Sequence, residues 1–267
     1  MIWLLTPVLA WCAIVVAMAL FQRRFLYLPG PACRDPTAAA PWMTAIIKPD
    51  GALLGWWTPP ATKHHPVLLV LHGNRGTLAR IAAKTAPWCD QLGIGIFAVT
   101  YRGYEGNPGK PTEQGLYQDG RDALAWLDDQ GIGRDRLVIY GESLGSGIAA
   151  ELALSEPMAA LVLEAPFTSI ADMAAARYPL LPARHLVKDR FATIDKIGRI
   201  TVPTLILHGD VDQTTNIRHS QKLKEKANSN VQLIQINSAG HLDIHTKGGT
   251  PALVQFIKDV GLFTDHA

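Results

Sequence analysis

Residues 141–145 read Gly-Glu-Ser-Leu-Gly, which makes Ser143 the chain's clearest candidate nucleophile. A G-x-S-x-G sequence arises often by chance. Here a β-rich apolar run, LVIY at 137–140, precedes it, and a helix-forming run, LGSGIAAELAL at 144–154, follows it. Strand, sharp turn and helix is the setting in which a serine is thrust out of the chain as a nucleophile elbow. The turn is so tight that residues two before and two after the serine must lack bulk, and Gly141 and Gly145 meet that need. Gly147 lets the helix pack closely. The alternative is a serine that merely caps a helix; the strand before it and the helix after it favour catalysis.

A serine hydroxyl is a poor nucleophile at neutral pH. It needs a base to take its proton and an acid to orient that base. In a doubly wound sheet such groups gather on loops at the same strand ends. Two loops downstream carry the side chains. The run TLIL at 204–207 leads into His208-Gly209-Asp210-Val211-Asp212, and the run at 231–236 leads into Asn237-Ser238-Ala239-Gly240-His241. Asp210 and Asp212 compete for the acid, and His219 and His245 lie near enough to His241 to compete for the base. His72 and His208 each precede a glycine at a strand end and read as loop-shaping hydrogen-bond groups. Such a site also needs N–H donors for the developing oxyanion, and the residue after the nucleophile, Leu144, supplies one from its backbone.

The elements that must position these groups alternate along the chain. Strands are expected at 44–48, 53–58, 67–71, 94–100, 137–140, 161–164, 204–208 and 231–236. Helices are expected at 77–92, 113–130, 144–154, 217–227 and 251–260. Continuous apolar runs such as VLLVL and LVLE suit strands buried on both faces of a mostly parallel sheet. The βαβα order predicts a doubly wound α/β domain with an eight-stranded sheet. No helix separates the first two strands, and Asp50-Gly51 between them is a turn signal, so they are expected to form an antiparallel hairpin at one edge. Residues 166–203 break the rhythm and are expected to form a small helical cap over the C-terminal edge of the sheet.

Residues 2–21 carry no charge. At about 1.5 Å per residue this run reaches roughly 30 Å, the thickness of a bilayer's hydrocarbon core. A cleaved signal peptide is the rival reading, but no basic stretch precedes the run. The expected organisation is therefore a single-pass transmembrane anchor at 1–24 and one globular domain at 25–267. Arg23 and Arg24 flank the run on its C-terminal side, which by the positive-inside tendency places the globular part in the cytoplasm. Lys plus Arg is 25 and Asp plus Glu is 23, a net charge of +2 that leaves no field for nucleic acid. An apolar content of 48% excludes a disordered chain. Three widely spaced cysteines without a CxxC exclude a cysteine zinc site and make a disulfide framework unexpected. No HExxH or histidine-cluster spacing occurs, so no metal and no cofactor is expected.

The motifs taken together resemble the α/β-hydrolase superfamily, in particular its small membrane-tethered branch related to serine-aminopeptidase-like hydrolases, which includes protein depalmitoylases. The matching stretches run in order: LHGNRGT (71–77), YRGYEG (101–106), KPTEQGLYQD (110–119), GESLGSG (141–147), EAPFTSI (164–170), LHGDVD (207–212) and SAGH (238–241). The resemblance implies Ser143, Asp212 and His241 as the triad, in the family's chain order. It also implies the backbone N–H of Asn74 as the second oxyanion donor, beside that of Leu144. Tyr101-Arg102-Gly103-Tyr104 is expected to brace the oxyanion loop. Thr214-Thr215 departs from the Val-Pro usual after the acid, and Glu105 stands where glycine is common.

The expected activity is hydrolysis of an ester or thioester through an acyl-enzyme. An anchor beside the active-site domain favours amphipathic substrates, either lipid esters or S-acylated proteins. Phe167, Tyr178, Leu180 and Leu181 are candidate linings of an acyl pocket. The same machinery serves acyl transfer and peptide cleavage, and a silent fold used for binding is the reading of a different class. Nothing in the chain suggests an amine-recognition site, so esters rank ahead of peptides.

Overall fold

The computed structural model describes residues 2–263. Its eight strands are β1 (Thr44–Ile47), β2 (Leu53–Thr58), β3 (Val67–Leu71), β4 (Gly95–Val99), β5 (Leu137–Glu142), β6 (Ala160–Glu164), β7 (Thr204–Gly209) and β8 (Val231–Ile236). They form one sheet in the order β1-β2-β4-β3-β5-β6-β7-β8. β1 and β2 pair antiparallel, as do β2 and β4, and every other pairing is parallel. The edge hairpin turns where expected: Asp50 accepts from the backbone N–H of Ala52 at 3.0 Å, and Gly51 takes φ 81°.

Alternation along each central strand divides the core in two. Leu69 and Leu71 of β3 point into one layer with Leu116 and Leu124 of α3 (Glu113–Asp129) and Ile148 and Leu152 of α4 (Leu144–Ser155). Leu68 and Val70 point into the other, with Ile81 and Trp88 of α2 (Leu78–Leu92) and Leu253 and Ile257 of the helix Thr250–Asp259. Each such side chain contributes about 1.5–3 kcal/mol on full burial. The two layers hold the parallel strand ends in one plane, and the site's loops leave from those ends.

Residues 166–203 form the cap, with helices α5 (Ile170–Arg177) and α6 (Ala183–Leu186) and two short 3₁₀ turns. Ahead of the sheet, α1 (Ile2–Leu26) runs 25 residues as an apolar helix long enough to cross a membrane. It is not detached from the rest. Gln22 donates to the carbonyl of Leu186 at 3.1 Å and accepts from the N–H of Lys188 at 2.7 Å. Arg23, which the sequence offers as a topology signal, is half of a two-pronged ion pair with the buried Asp189 of the cap, at 2.7 and 3.1 Å.

Candidate active site

The link from β5 to α4 is strained. Ser143 takes φ 51° and ψ −114°, a conformation that costs a non-glycine residue on the order of 1–3 kcal/mol. It persists because its surroundings over-determine it. The N–H of Ser143 donates to the carbonyl of Glu164 on β6 at 2.9 Å, and its own carbonyl accepts from Ser146. The flanking glycines are obligatory: a Cβ on Gly145 would stand 2.0 Å from the carbonyl oxygen of Leu71, and one on Gly141 would stand 2.5 Å from the carbonyl oxygen of Gly145.

The loops after β7 and β8 supply the next pair. Nδ1 of His241 lies 2.7 Å from Oδ2 of Asp212. A carboxylate only accepts, so Nδ1 carries the proton and Nε2 is left as the basic nitrogen. Oδ1 of Asp212 accepts from the N–H groups of Thr214 at 2.7 Å and Thr215 at 2.9 Å. The Thr-Thr departure thus supplies two donors to the acid. Burial opposes ionisation of Asp212, but hydrogen bonding from His208 and His241, the electrostatic attraction of the His241 ring and the Thr215 N–H outweigh it, and the carboxyl is held well below the usual carboxylate range. Asp210 meets no histidine, and its buried Oδ1 has no hydrogen-bond partner. Asp212→Asn is therefore expected to lower turnover about 10²-fold or more, against about twofold or less for Asp210→Asn. Steady-state kinetics on a common ester checks the pair.

The candidate oxyanion loop follows β3. The hydroxyl of Tyr101 donates to the carbonyl of His72 at 3.0 Å, and that of Tyr104 donates to Oδ1 of Asn74 at 2.9 Å, so this tyrosine pair braces the loop as expected. Asn74 also accepts from the N–H of Leu28 at 2.8 Å and donates to the carbonyl of Leu26 at 2.5 Å. Its side chain is committed to the chain that leaves α1. His72 is fully buried, with Nδ1 2.7 Å from the carbonyl of Gly73, and burial lowers its pKa to about 4, so it stays neutral. Glu105 is buried; its carboxylate accepts from Leu78 at the start of α2 and from the N–H of Cys33.

Ser143, Asn74 and Leu144 line one cavity of about 540 Å³, together with Phe167, Tyr178 and Leu181 of the cap. Leu180 does not line it. Its side chain is 84% exposed, which corrects its placement in an acyl pocket. The chain turns between α5 and α6, with the N–H of Leu181 bonded to the carbonyl of Tyr178, so Leu180 projects outward where Leu181 turns in. Of the competing histidines, His219 lines the cavity and bonds Thr168, while His245 reaches the Tyr140 hydroxyl at 2.6 Å.

Beneath the elbow lies a buried ionic cluster that sequence reading did not foresee. Lys84 of α2 lies 2.6 Å from Glu142 and 2.7 Å from Glu164; Arg80 also pairs with Glu142, and Tyr140 and His245 with Glu164. Glu142 precedes Ser143, and His245 follows the candidate base by four residues. The cluster therefore ties the strand that carries Ser143 to the loop that carries His241. A signal was present: YGE and LVLE both end buried strands in glutamate, and Glu142 and Glu164 are register partners on neighbouring strands. Two carboxylates so placed require a cation between them.

A strand-ordered sheet, an elbow with obligatory glycines and an acid–imidazole pair at the strand ends together define an α/β hydrolase. The chain belongs to that family: the family described as "Alpha/beta hydrolase domain" matches residues 102–250. Among curated relatives, Rv2307c of Mycobacterium tuberculosis is 36% identical over 89% of this chain and 88% of its own. Human alpha/beta hydrolase domain-containing protein 17B is 34% identical over 68% of this chain and 62% of its own. The esterase Pf2001 of Pyrococcus furiosus shares the fold at a TM-score of 0.67, with 18% identity over 88% of this chain and all of its own.

Proposed function

We propose that the protein is a serine hydrolase that cleaves ester or thioester bonds of amphipathic acyl substrates. The observation that supports this most is the Asp212–His241 hydrogen bond, which leaves Nε2 unprotonated at the strand edge where strained Ser143 also stands. In this reading Nε2 of His241 takes the Ser143 proton as Oγ attacks the acyl carbon. The N–H groups of Leu144 and Asn74 receive the oxyanion. The imidazolium, stabilised by Asp212, returns its proton to the departing alcohol or thiol. Water, deprotonated by the same ring, then releases the acid and restores the serine. In the same reading α1 is a single-pass anchor with the globular part on the cytoplasmic side. That orientation rests on Arg23 and Arg24 at the C-terminal end of the apolar run.

A panel of p-nitrophenyl esters and acyl-thioesters of graded chain length, run on the full-length protein, tests the reading. Hydrolysis of the longer members is expected, together with fluorophosphonate labelling at Ser143. Ester product in place of acid when an alcohol is added identifies a transferase instead. A wild-type protein that neither labels nor turns over any member is a binding protein.

A further inference from the structure

One wall of the cavity over Ser143 belongs neither to the sheet nor to the cap. Met18, Ala19, Gln22, Phe25 and Leu26 of α1 line it. All of these but the exposed Phe25 are, with Val15, the half-buried positions of a helix whose other described side chains are exposed. They recur at spacings of three and four, which is one face of a helix. Gln22 stands in the middle of that face. An amide in an apolar segment is costly unless its hydrogen bonds are made. Here both ends are satisfied, Nε2 by the carbonyls of Ala19 and Leu186 and Oε1 by the N–H of Lys188.

Three further attachments fix the helix. Arg23 grips Asp189, the Asn74 side chain holds the backbone of Leu26 and Leu28, and Nε1 of Trp11 donates to the carbonyl of Leu180 at 3.1 Å. The polar contacts of α1 thus run to the cap and to the oxyanion loop, the two elements that bound the cavity. A membrane tether alone needs none of them.

We propose that α1 forms the acyl-chain subsite of this protein, with Met18 and Ala19 as the surface against which the chain of a long fatty acyl group lies. The identity of the ligand as an acyl chain rests on the reading given under Proposed function. The cavity volume of about 540 Å³ falls within the roughly 300–1,000 Å³ of small-molecule sites. Each methylene buried against this wall is worth about fourfold in affinity. The helix therefore sets which chain length fits, and the identity of the residue at position 19 governs how far the chain extends.

The test is made on full-length protein carrying Ser143→Ala in lipid nanodiscs, so that binding is read without turnover. A fluorescent fatty acid is displaced with octanoate or with palmitate. Adding Ala19→Trp is expected to weaken palmitate about tenfold or more, the equivalent of losing two methylene contacts, and to leave octanoate within about twofold. Leu20→Trp, on the exposed outer face of α1, is expected to change neither. Should Ala19→Trp lose octanoate as well, Met18→Ala decides: enlarging the wall is expected to shift preference from palmitate toward stearate. Equal palmitate affinity in the Ala19→Trp and Leu20→Trp proteins, no palmitate binding at all, or an unshifted preference in Met18→Ala overturns the inference. The hydrolase reading fails by a different result, the absence of labelling and turnover in the wild type.

Discussion

Replacing Ser143 with alanine is expected to lower turnover on any accepted ester by about 10³-fold or more and to abolish fluorophosphonate labelling. The expectation follows from the elbow's geometry. The chain holds a non-glycine residue at φ 51° between two glycines that no other residue can replace. Strain of that kind is retained where it aims a side chain. His241→Ala is expected to lose about as much, because without the imidazole the hydroxyl keeps its proton. The two losses should not add. A Ser143→Ala/His241→Ala protein is expected to be no slower than the worse single variant, since members of one relay fail together. Additive losses, or a Ser143→Ala protein within about tenfold of wild type, would remove the triad reading. Thermal unfolding in parallel separates chemistry from stability. Ser143→Ala removes only an oxygen from an unrelaxed turn, so its Tm is expected to stay near that of the wild type.

The strands were legible because burial on both faces leaves a mark in composition: VLLVL, TLILH and LVLE have no polar face to hide. The elbow was legible because its glycines answer a local steric demand. Asp212 and His241 were legible as loop residues after such strands, and the structure separates Asp212 from Asp210 by one hydrogen bond to an imidazole. What remained hidden depends on long-range contact. Lys84 meets its carboxylates across 58 and 80 residues of chain, and no window around Lys84 distinguishes it from a surface lysine on an amphipathic helix. Leu180 and Leu181 are adjacent and chemically identical, and only the turn between α5 and α6 sends one outward and the other into the cavity. The packing of α1 was masked by its own apolarity. Any helix of that composition reads as lipid-facing on all sides, and nothing local to Trp11, Gln22 or Arg23 marks their partners in the cap, which lie more than 160 residues away.

Lys84→Met is expected to destabilise the protein by about 3–5 kcal/mol, which at this size lowers Tm by about 10 °C. Glu142 and Glu164 are buried side by side. Burial opposes ionisation of both, yet the Lys84 ammonium outweighs it, helped by Arg80 at Glu142 and by His245 at Glu164, and both carboxyls are held below their usual range. Removing the lysine leaves two like charges in contact with too little to neutralise them. One carboxyl must then take up a proton, and its pKa rises above the ordinary value. The sign of the pH response consequently reverses. In the wild type the depressed carboxyls contribute stability that is complete above about pH 4.3 and is lost as the pH falls below it. In the variant the raised carboxyl contributes stability below about pH 4.3 that is lost as the pH climbs through its new pKa. The gap in Tm between the two proteins is therefore expected to widen from about pH 5 to about pH 8. Lys84→Met/Glu164→Gln removes the second charge and is expected to recover at least about half of the loss, since an uncompensated buried charge is the costly species. A Tm gap that is flat with pH, or a double variant no better than the single, would mean that Lys84 stabilises by packing its alkyl chain and not by holding two carboxylates beneath Ser143.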